Sequence, residues 1–109
     1  MLEPILGSLN RERILLFLLT NKEGYARQIA RFFETDLSPI QRQLDRLEFG
    51  GVLYSRQAGR TRLFGLNPRY PFLGELQALL AKALVFYPQE ERERLEIVRK
   101  RPRRRGKPE

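Results

Sequence analysis

The sequence predicts a mainly helical domain with one small β-hairpin near its middle. Three observations support this fold class. Apolar residues recur at helical spacing in four segments, two short β-like runs flank a glycine-containing turn, and the 109 residues suffice for one compact domain.

A short polar turn separates the first two predicted helices. Ser8 or Asn10 can cap a helix that runs to about Leu19 and is apolar around most of its circumference, as a central buried helix requires. In the turn that follows, Gly24 is the residue that can adopt a positive φ most easily. A second helix over about Tyr25–Phe33 carries apolar residues at positions i, i+3, i+4 and i+7.

The third helix has two possible starting points. Asp36 can be its N-cap, or Ser38 can be, with Pro39 then at the first helical position. In either case the helix ends at Gly50–Gly51, where the left-handed conformation is tolerated. Its buried stripe consists of Ile40, Leu44 and Leu47.

A β-hairpin and a fourth helix follow. The runs Val52–Arg56 and Thr61–Asn67 are β-like, and Gly59 lies in the turn between them. The fourth helix covers Phe72–Tyr87, and a charged segment with helical propensity, Gln89–Val98, comes after Pro88.

The apolar stripe of the fourth helix predicts a dimerisation surface, because a helix this apolar near the end of a small domain has a second face to bury. Two alternatives remain open: the helix completes the core of the single chain, or a separate protein chain docks on it. The residues assigned to dimerisation are Leu73, Leu76, Leu80, Leu84 and Tyr87.

Two helices joined by a tight turn and followed by a hairpin make a winged helix-turn-helix, here with a three-helix core, a two-stranded wing and a C-terminal helix. The stretch YARQIARFFETDLSPIQRQLDRLEFGGVLYSRQAGRTRLFGLNP resembles the bacterial winged-helix transcriptional regulators of the arsenic-repressor-like type. Within it, IQRQLDRLEFGGVL is similar to that family's recognition helix running into the wing. The resemblance implies a homodimeric regulator that binds double-stranded DNA.

On the third helix, residues opposite the buried stripe, together with Gln41 at the flank of that outward face, are candidates for reading bases. Ser38 offers a hydroxyl, Gln41 an amide that can pair with adenine, and Arg42 a guanidinium that can bind guanine. Asp45 and Glu48 repel phosphate, so we expect the helix to enter the groove by its N-terminal end.

Phosphate contacts are predicted from three further places. Arg46 lies toward a flank of the third helix, and the second helix begins close to Tyr25 and Arg27. The hairpin, or wing, carries Arg56, Arg60 and Arg62, which can follow the backbone or enter a narrow minor groove.

The net charge of +8 is distributed unevenly along the chain. Residues 99–109 read RKRPRRRGKPE and carry a net charge of +6, so the rest of the chain carries only +2. We expect this segment to be a disordered tail that strengthens nucleic-acid binding non-specifically. Residues 1–71 then form the DNA-binding domain and residues 72–98 the dimerisation segment.

The composition excludes several classes of site. The chain has no Cys and no His, which excludes disulfides, a thiolate nucleophile and metal sensing through those ligands. We therefore expect no metal, no cofactor and no catalytic activity. The longest early apolar run, Ile14–Leu19, is too short to span a bilayer, so we expect a cytoplasmic, nucleoid-associated protein without a membrane partner.

Two other functions remain open at this stage. One is a protein-interaction module, similar to an antitoxin, that binds another chain through the apolar fourth helix. The other is an RNA-binding protein in which the Arg-rich tail dominates.

Overall fold

The computed structural model describes residues 1–100, with only the backbone for residues 97–100. The described part forms helices α1 (Glu3–Leu6), α2 (Leu9–Asn21), α3 (Ala26–Phe32), α4 (Leu37–Phe49), α5 (Leu73–Val85) and α6 (Gln89–Lys100), and strands β1 (Glu23–Gly24), β2 (Leu53–Ala58) and β3 (Thr61–Leu66). Helix α1 was not predicted. The predicted tail lies outside the described residues, apart from the two residues at the end of α6.

Helix α2 is the centre of the core. Its N-cap is Ser8, whose hydroxyl oxygen accepts the backbone N–H of Arg11 at 3.0 Å, which confirms the first of the two predicted caps. The consecutive residues from Ile14 to Leu18 are all buried, so neighbouring elements cover this helix on every side. Helices α1, α4, α5 and α6 pack against it, and Phe32 of α3 meets the ring of Phe17 edge-on at 5.4 Å.

The turn after α2 differs from the prediction. Lys22, not Gly24, has the positive φ, at 71°. Gly24 instead belongs to β1 and pairs with Phe64 of β3, and a Cβ at this position would lie 2.8 Å from Cε1 of Phe17. Glycine is required there by close packing. The additional strand makes the sheet three-stranded, antiparallel and ordered β1-β3-β2, where the sequence predicted two strands.

Helices α3 and α4 form the predicted pair joined by a tight turn. Asp36 is the N-cap of α4, so the first of the two predicted starts is the one observed. Glu34, in the turn, has a φ of 53°. The predicted stripe of α4 faces inward: Ile40 and Leu44 are fully buried and Leu47 nearly so.

Helix α5 turns the stripe that the sequence assigned to dimerisation toward the core of its own chain. Leu80 is 0% exposed within the single chain, while Leu76, Leu84 and Tyr87 pack against the core. Leu73 is half-buried. For Leu80 this corrects the prediction, because a side chain enclosed by its own chain is not available to a second copy. For the four half-buried residues the assignment to dimerisation stays a prediction. Helical spacing identified the stripe correctly but not the surface that covers it.

Glu12 is a fully buried carboxylate on α2 that connects the N-terminal residues to Tyr87, just after α5. Its Oε1 accepts the backbone N–H of Leu2 at 2.9 Å and lies 3.3 Å from the amino group of Met1, and its Oε2 accepts the hydroxyl of Tyr87. Burial, reinforced by the bond to Glu12, raises the pKa of Tyr87. The end of α5 is thereby fixed to α2.

Candidate nucleic-acid interface

The outward face of α4 presents polar side chains to solvent. Ser38, Gln41 and Arg42 are all exposed in the N-terminal half of the helix, with Ser38 and Arg42 opposite the buried stripe and Gln41 at its flank. Arg46 is exposed one turn further along. These four side chains are placed as the sequence predicted, because a helix with three well-spaced buried positions fixes the direction of all the others.

A cleft of about 470 Å³ lies between the start of α3, the flank of α4 and the tip of the hairpin. Five of the predicted site residues line it: Tyr25, Arg27, Gln41, Arg60 and Arg62. Three guanidinium groups and the single carboxylate of Asp45 therefore border one concave surface. A surface of this charge and shape suits the phosphates of a nucleic-acid backbone.

Arg56 lies on the other face of the sheet. Side chains alternate along a strand, so Arg56 projects opposite to Arg62 and toward β1. There its Nε and Nη2 donate to the two carboxylate oxygens of Glu23, each at 2.8 Å. This bidentate pair, which raises the pKa of Arg56, holds β2 against β1 across the sheet.

Tyr54 joins the same group of side chains. Its hydroxyl donates to Oε2 of Glu23 at 2.5 Å, and its ring covers Gly65, where a Cβ would lie 2.5 Å from the phenolic oxygen. Burial and the bond to Glu23 raise the pKa of Tyr54 to about 12. This face of the sheet therefore carries a hydrogen-bonded cluster of Glu23, Tyr54 and Arg56, distinct from the cleft.

We expect the free energy of unfolding to fall as the pH rises from 10 to about 12. The folded state keeps the phenol of Tyr54 neutral, since its pKa there lies above the ordinary value of 10.0. The associated stability is complete below pH 10 and is lost as the pH passes through the folded pKa. Urea unfolding between pH 9 and 12 measures this, and Tyr54→Phe should make the fall smaller, while the part that remains belongs to Tyr87, whose pKa is also raised. An unchanged pH dependence in that variant would contradict the assignment.

Two further polar contacts fix α4 in place, and neither was predicted. Nε and Nη2 of Arg11 donate to Oε1 of Gln43 at 3.0 and 2.8 Å, while Nη1 donates to the carbonyl of Leu6 at 3.1 Å. On the other side of α4, Glu48 accepts hydrogen bonds from the hairpin. The first contact spans 32 residues of sequence, so no local pattern could indicate it.

The comparisons with known proteins identify the fold. No protein-family model and no curated protein sequence matches the chain. Similar solved structures include reduced HlyU from Vibrio cholerae, with a TM-score of 0.64 and 23% identity, covering 81% of this chain and 86% of that one. A probable transcriptional regulator from Pseudomonas aeruginosa has a TM-score of 0.59 and 21% identity, covering 89% and 81%. The chain has a winged helix-turn-helix fold.

Another winged helix-turn-helix neighbour is a ZitR mutant from Lactococcus lactis in complex with DNA, with a TM-score of 0.53 and 17% identity over 84% of this chain and 69% of that one. In the winged helix-turn-helix of the present chain, α3 and α4 are the helix-turn-helix and β2 with β3 is the wing. The arsenic-repressor-like type stays a prediction.

Across the described residues, no helix has the length and apolar character needed to cross a membrane.

Proposed function

We propose that the chain is a sequence-specific regulator of transcription that binds duplex DNA. Helix α4, residues 37–49, enters the major groove, and the wing, residues 52–67, lies on the adjacent backbone or minor groove. The observation that carries the proposal is the cleft in which α3, α4 and the wing bring together Tyr25, Arg27, Gln41, Arg60 and Arg62. A nucleic-acid backbone is the ligand that matches this set of cations and polar groups.

In this proposal the exposed N-terminal half of α4 contacts the bases. Arg42 donates to guanine, Gln41 pairs with adenine at the edge of the cleft, and Ser38 supplies a hydroxyl next to the helix start. Asp45 and Glu48, in the C-terminal half, repel phosphate and so favour entry by the N-terminal end.

The residues of the cleft and its surroundings bind phosphate in this proposal. Arg27, Arg60 and Arg62 line the cleft with Tyr25, and Arg46 extends the basic surface along α4. Arg56 is left out of this set because it lies on the opposite face of the sheet from the cleft, where its Nε and Nη2 both donate to Glu23. The basic tail of residues 99–109 adds further attraction, and each phosphate neutralised changes the slope of log affinity against log salt by about −0.9.

The chain acts as a homodimer in this proposal, and the dimer surface is the outward face of α5. Gly74, Ala78, Ala81 and Val85 are spaced i, i+4, i+7 and i+11 and are all exposed. Small side chains on one helical face allow two helices to approach closely. A twofold dimer then reads two half-sites about 34 Å apart, and the bound protein acts by occupying its site in the cytoplasm, without metal or cofactor.

We expect Arg42→Ala to relax sequence preference at one base pair, at a cost of about 1–3 kcal/mol on the preferred duplex and little on random duplex. Arg60→Ala should weaken binding to all duplexes alike, because it removes a phosphate contact. Selection from a random duplex library, followed by titration of selected and random sequences, measures both effects. The control is Lys82→Ala, which removes one positive charge at an exposed position of α5 that does not line the cleft.

An equal loss on every sequence in Arg42→Ala would contradict base reading. Absence of any duplex binding by the unaltered chain would contradict the proposed function itself. Preference for single-stranded RNA in the same titrations would support the RNA-binding alternative. Binding to neither nucleic acid, together with the exposed face of α5, would support the protein-interaction alternative.

A further inference from the structure

Glu48 connects α4 to both strands of the wing. Its Oε2 accepts the hydroxyl of Ser55, in β2, at 2.5 Å and lies 3.4 Å from Nη2 of Arg62, in β3. Ser55 and Arg62 lie on the same face of the sheet, since their cross-strand partners are Phe64 and Gln57. One carboxylate therefore holds the hairpin at a fixed position relative to the helix.

The charge of Glu48 alone is unfavourable for binding DNA. A carboxylate beside a surface that binds phosphate repels it, and Asp45, one turn earlier on α4, has the same effect. The two residues differ in their contacts, because Asp45 is exposed and has no hydrogen bond or ion pair among the described residues. Asp45 can act only through its charge, whereas Glu48 acts through its charge and through two contacts to the wing.

We propose that Glu48 is a positioning residue for DNA binding, which sets the wing tip at the distance from α4 that lets both contact one duplex. This inference rests on the proposed function. Arg60, at the tip, and Arg62, in the adjoining strand, border the same cleft as Gln41 of α4. A wing held against the helix keeps these guanidinium groups close to the phosphates of a duplex whose major groove α4 occupies.

The sign of the change in affinity separates the two roles of Glu48. Asp45→Ala removes one negative charge and should tighten binding to duplex DNA by about two- to threefold. Glu48→Ala removes the same charge together with both contacts to the wing, and should weaken binding by about five- to tenfold. Glu48→Gln removes the charge but keeps an oxygen that accepts from Ser55, and should bind as tightly as Asp45→Ala.

Three further measurements test the contacts that Glu48 makes with the wing. Ser55→Ala leaves the net charge unchanged and should weaken binding about threefold. In a salt series, Glu48→Ala should lower the magnitude of the slope by about 0.9 for each phosphate that the wing no longer neutralises. In an Arg60→Ala/Arg62→Ala background, Glu48→Ala should have no additional effect on affinity beyond its charge.

Thermal unfolding first shows that each variant is folded. One labelled duplex is then titrated with the full chain and with each variant. Weaker binding by Glu48→Ala, restored by Glu48→Gln, supports the inference. Tighter binding by Glu48→Ala, equal to that of Asp45→Ala, overturns it. If Glu48→Ala does not fold, unchanged affinity in Ser55→Ala overturns it. Failure of the unaltered chain to bind duplex overturns the proposed function instead.

Discussion

Leu80→Ala is expected to lower the free energy of unfolding by about 2–5 kcal/mol. Leu80 is 0% exposed on the inner face of α5, where it packs with the core built around α2. Removing its Cγ and both Cδ methyl groups leaves a cavity that neighbours held by regular helices cannot fill. Urea or thermal unfolding of the unaltered chain and the variant measures the difference, which for a chain of this length corresponds to a shift of roughly 10 °C or more in Tm.

The matched control is Val85→Ala, on the opposite face of the same helix. Val85 is 67% exposed, so its truncation removes little apolar contact within the single chain. If the chain dimerises through that face, the cost of Val85→Ala should depend on protein concentration. The cost of Leu80→Ala should be the same at all concentrations. A Leu80→Ala variant as stable as the unaltered chain would contradict the placement of Leu80 in the core.

The comparison of these two positions shows how far helical spacing can be interpreted. In α5 the spacing identified the residues that share a face, but both faces are apolar enough to be buried. Which face covers α2 depends on how the chain folds back, and no local pattern encodes that path. In α4 only one face is apolar, so the same reasoning placed Ser38, Gln41 and Arg42 correctly on the exposed side.

Contacts between residues distant in sequence are a second limit on prediction from the sequence, and the wing is an example. The sequence indicated that Arg56 and Arg62 lie in a hairpin, but their different roles depend on carboxylates from other elements. Glu23 lies 33 residues before Arg56, in a strand of two residues that is too short to carry a periodic pattern. Glu48 lies 14 residues before Arg62, on a helix whose angle to the wing is set by the fold.

Buried polar residues are a third feature that the sequence did not predict. Glu12 follows a cap and precedes an apolar run, a position typical of an exposed first-turn acid that interacts favourably with the helix dipole. Its hydrogen-bond partner Tyr87 is 75 residues away, and only the packing of α5 on α2 brings the two together. A fully buried carboxylate requires such partners, so this contact became evident only from the fold.

The exposed face of α5 gives the largest expected effect on DNA binding. Ala81→Glu should prevent dimer formation, because Ala81 is exposed in the single chain but would be buried between two copies of α5, where an unpaired carboxylate is costly. A twofold dimer gains about 10²- to 10⁴-fold in affinity from engaging both half-sites. Ala81→Glu should therefore weaken binding to a palindromic site by about a hundredfold or more, while a single half-site is bound as before.

Lys82→Gln is the control for this change, since it also lowers the net charge by one unit but lies about 100° further around α5. Light scattering gives the oligomeric state, and titration of one-half-site and two-half-site duplexes gives the coupling. The folded monomer should remain stable, because glutamate is compatible with an exposed helical position. If Ala81→Glu still scatters as a dimer, the contact lies elsewhere on the chain. If the unaltered chain is a monomer that binds both duplexes equally, each molecule reads its half-site independently, and the twofold arrangement in the proposed function is wrong.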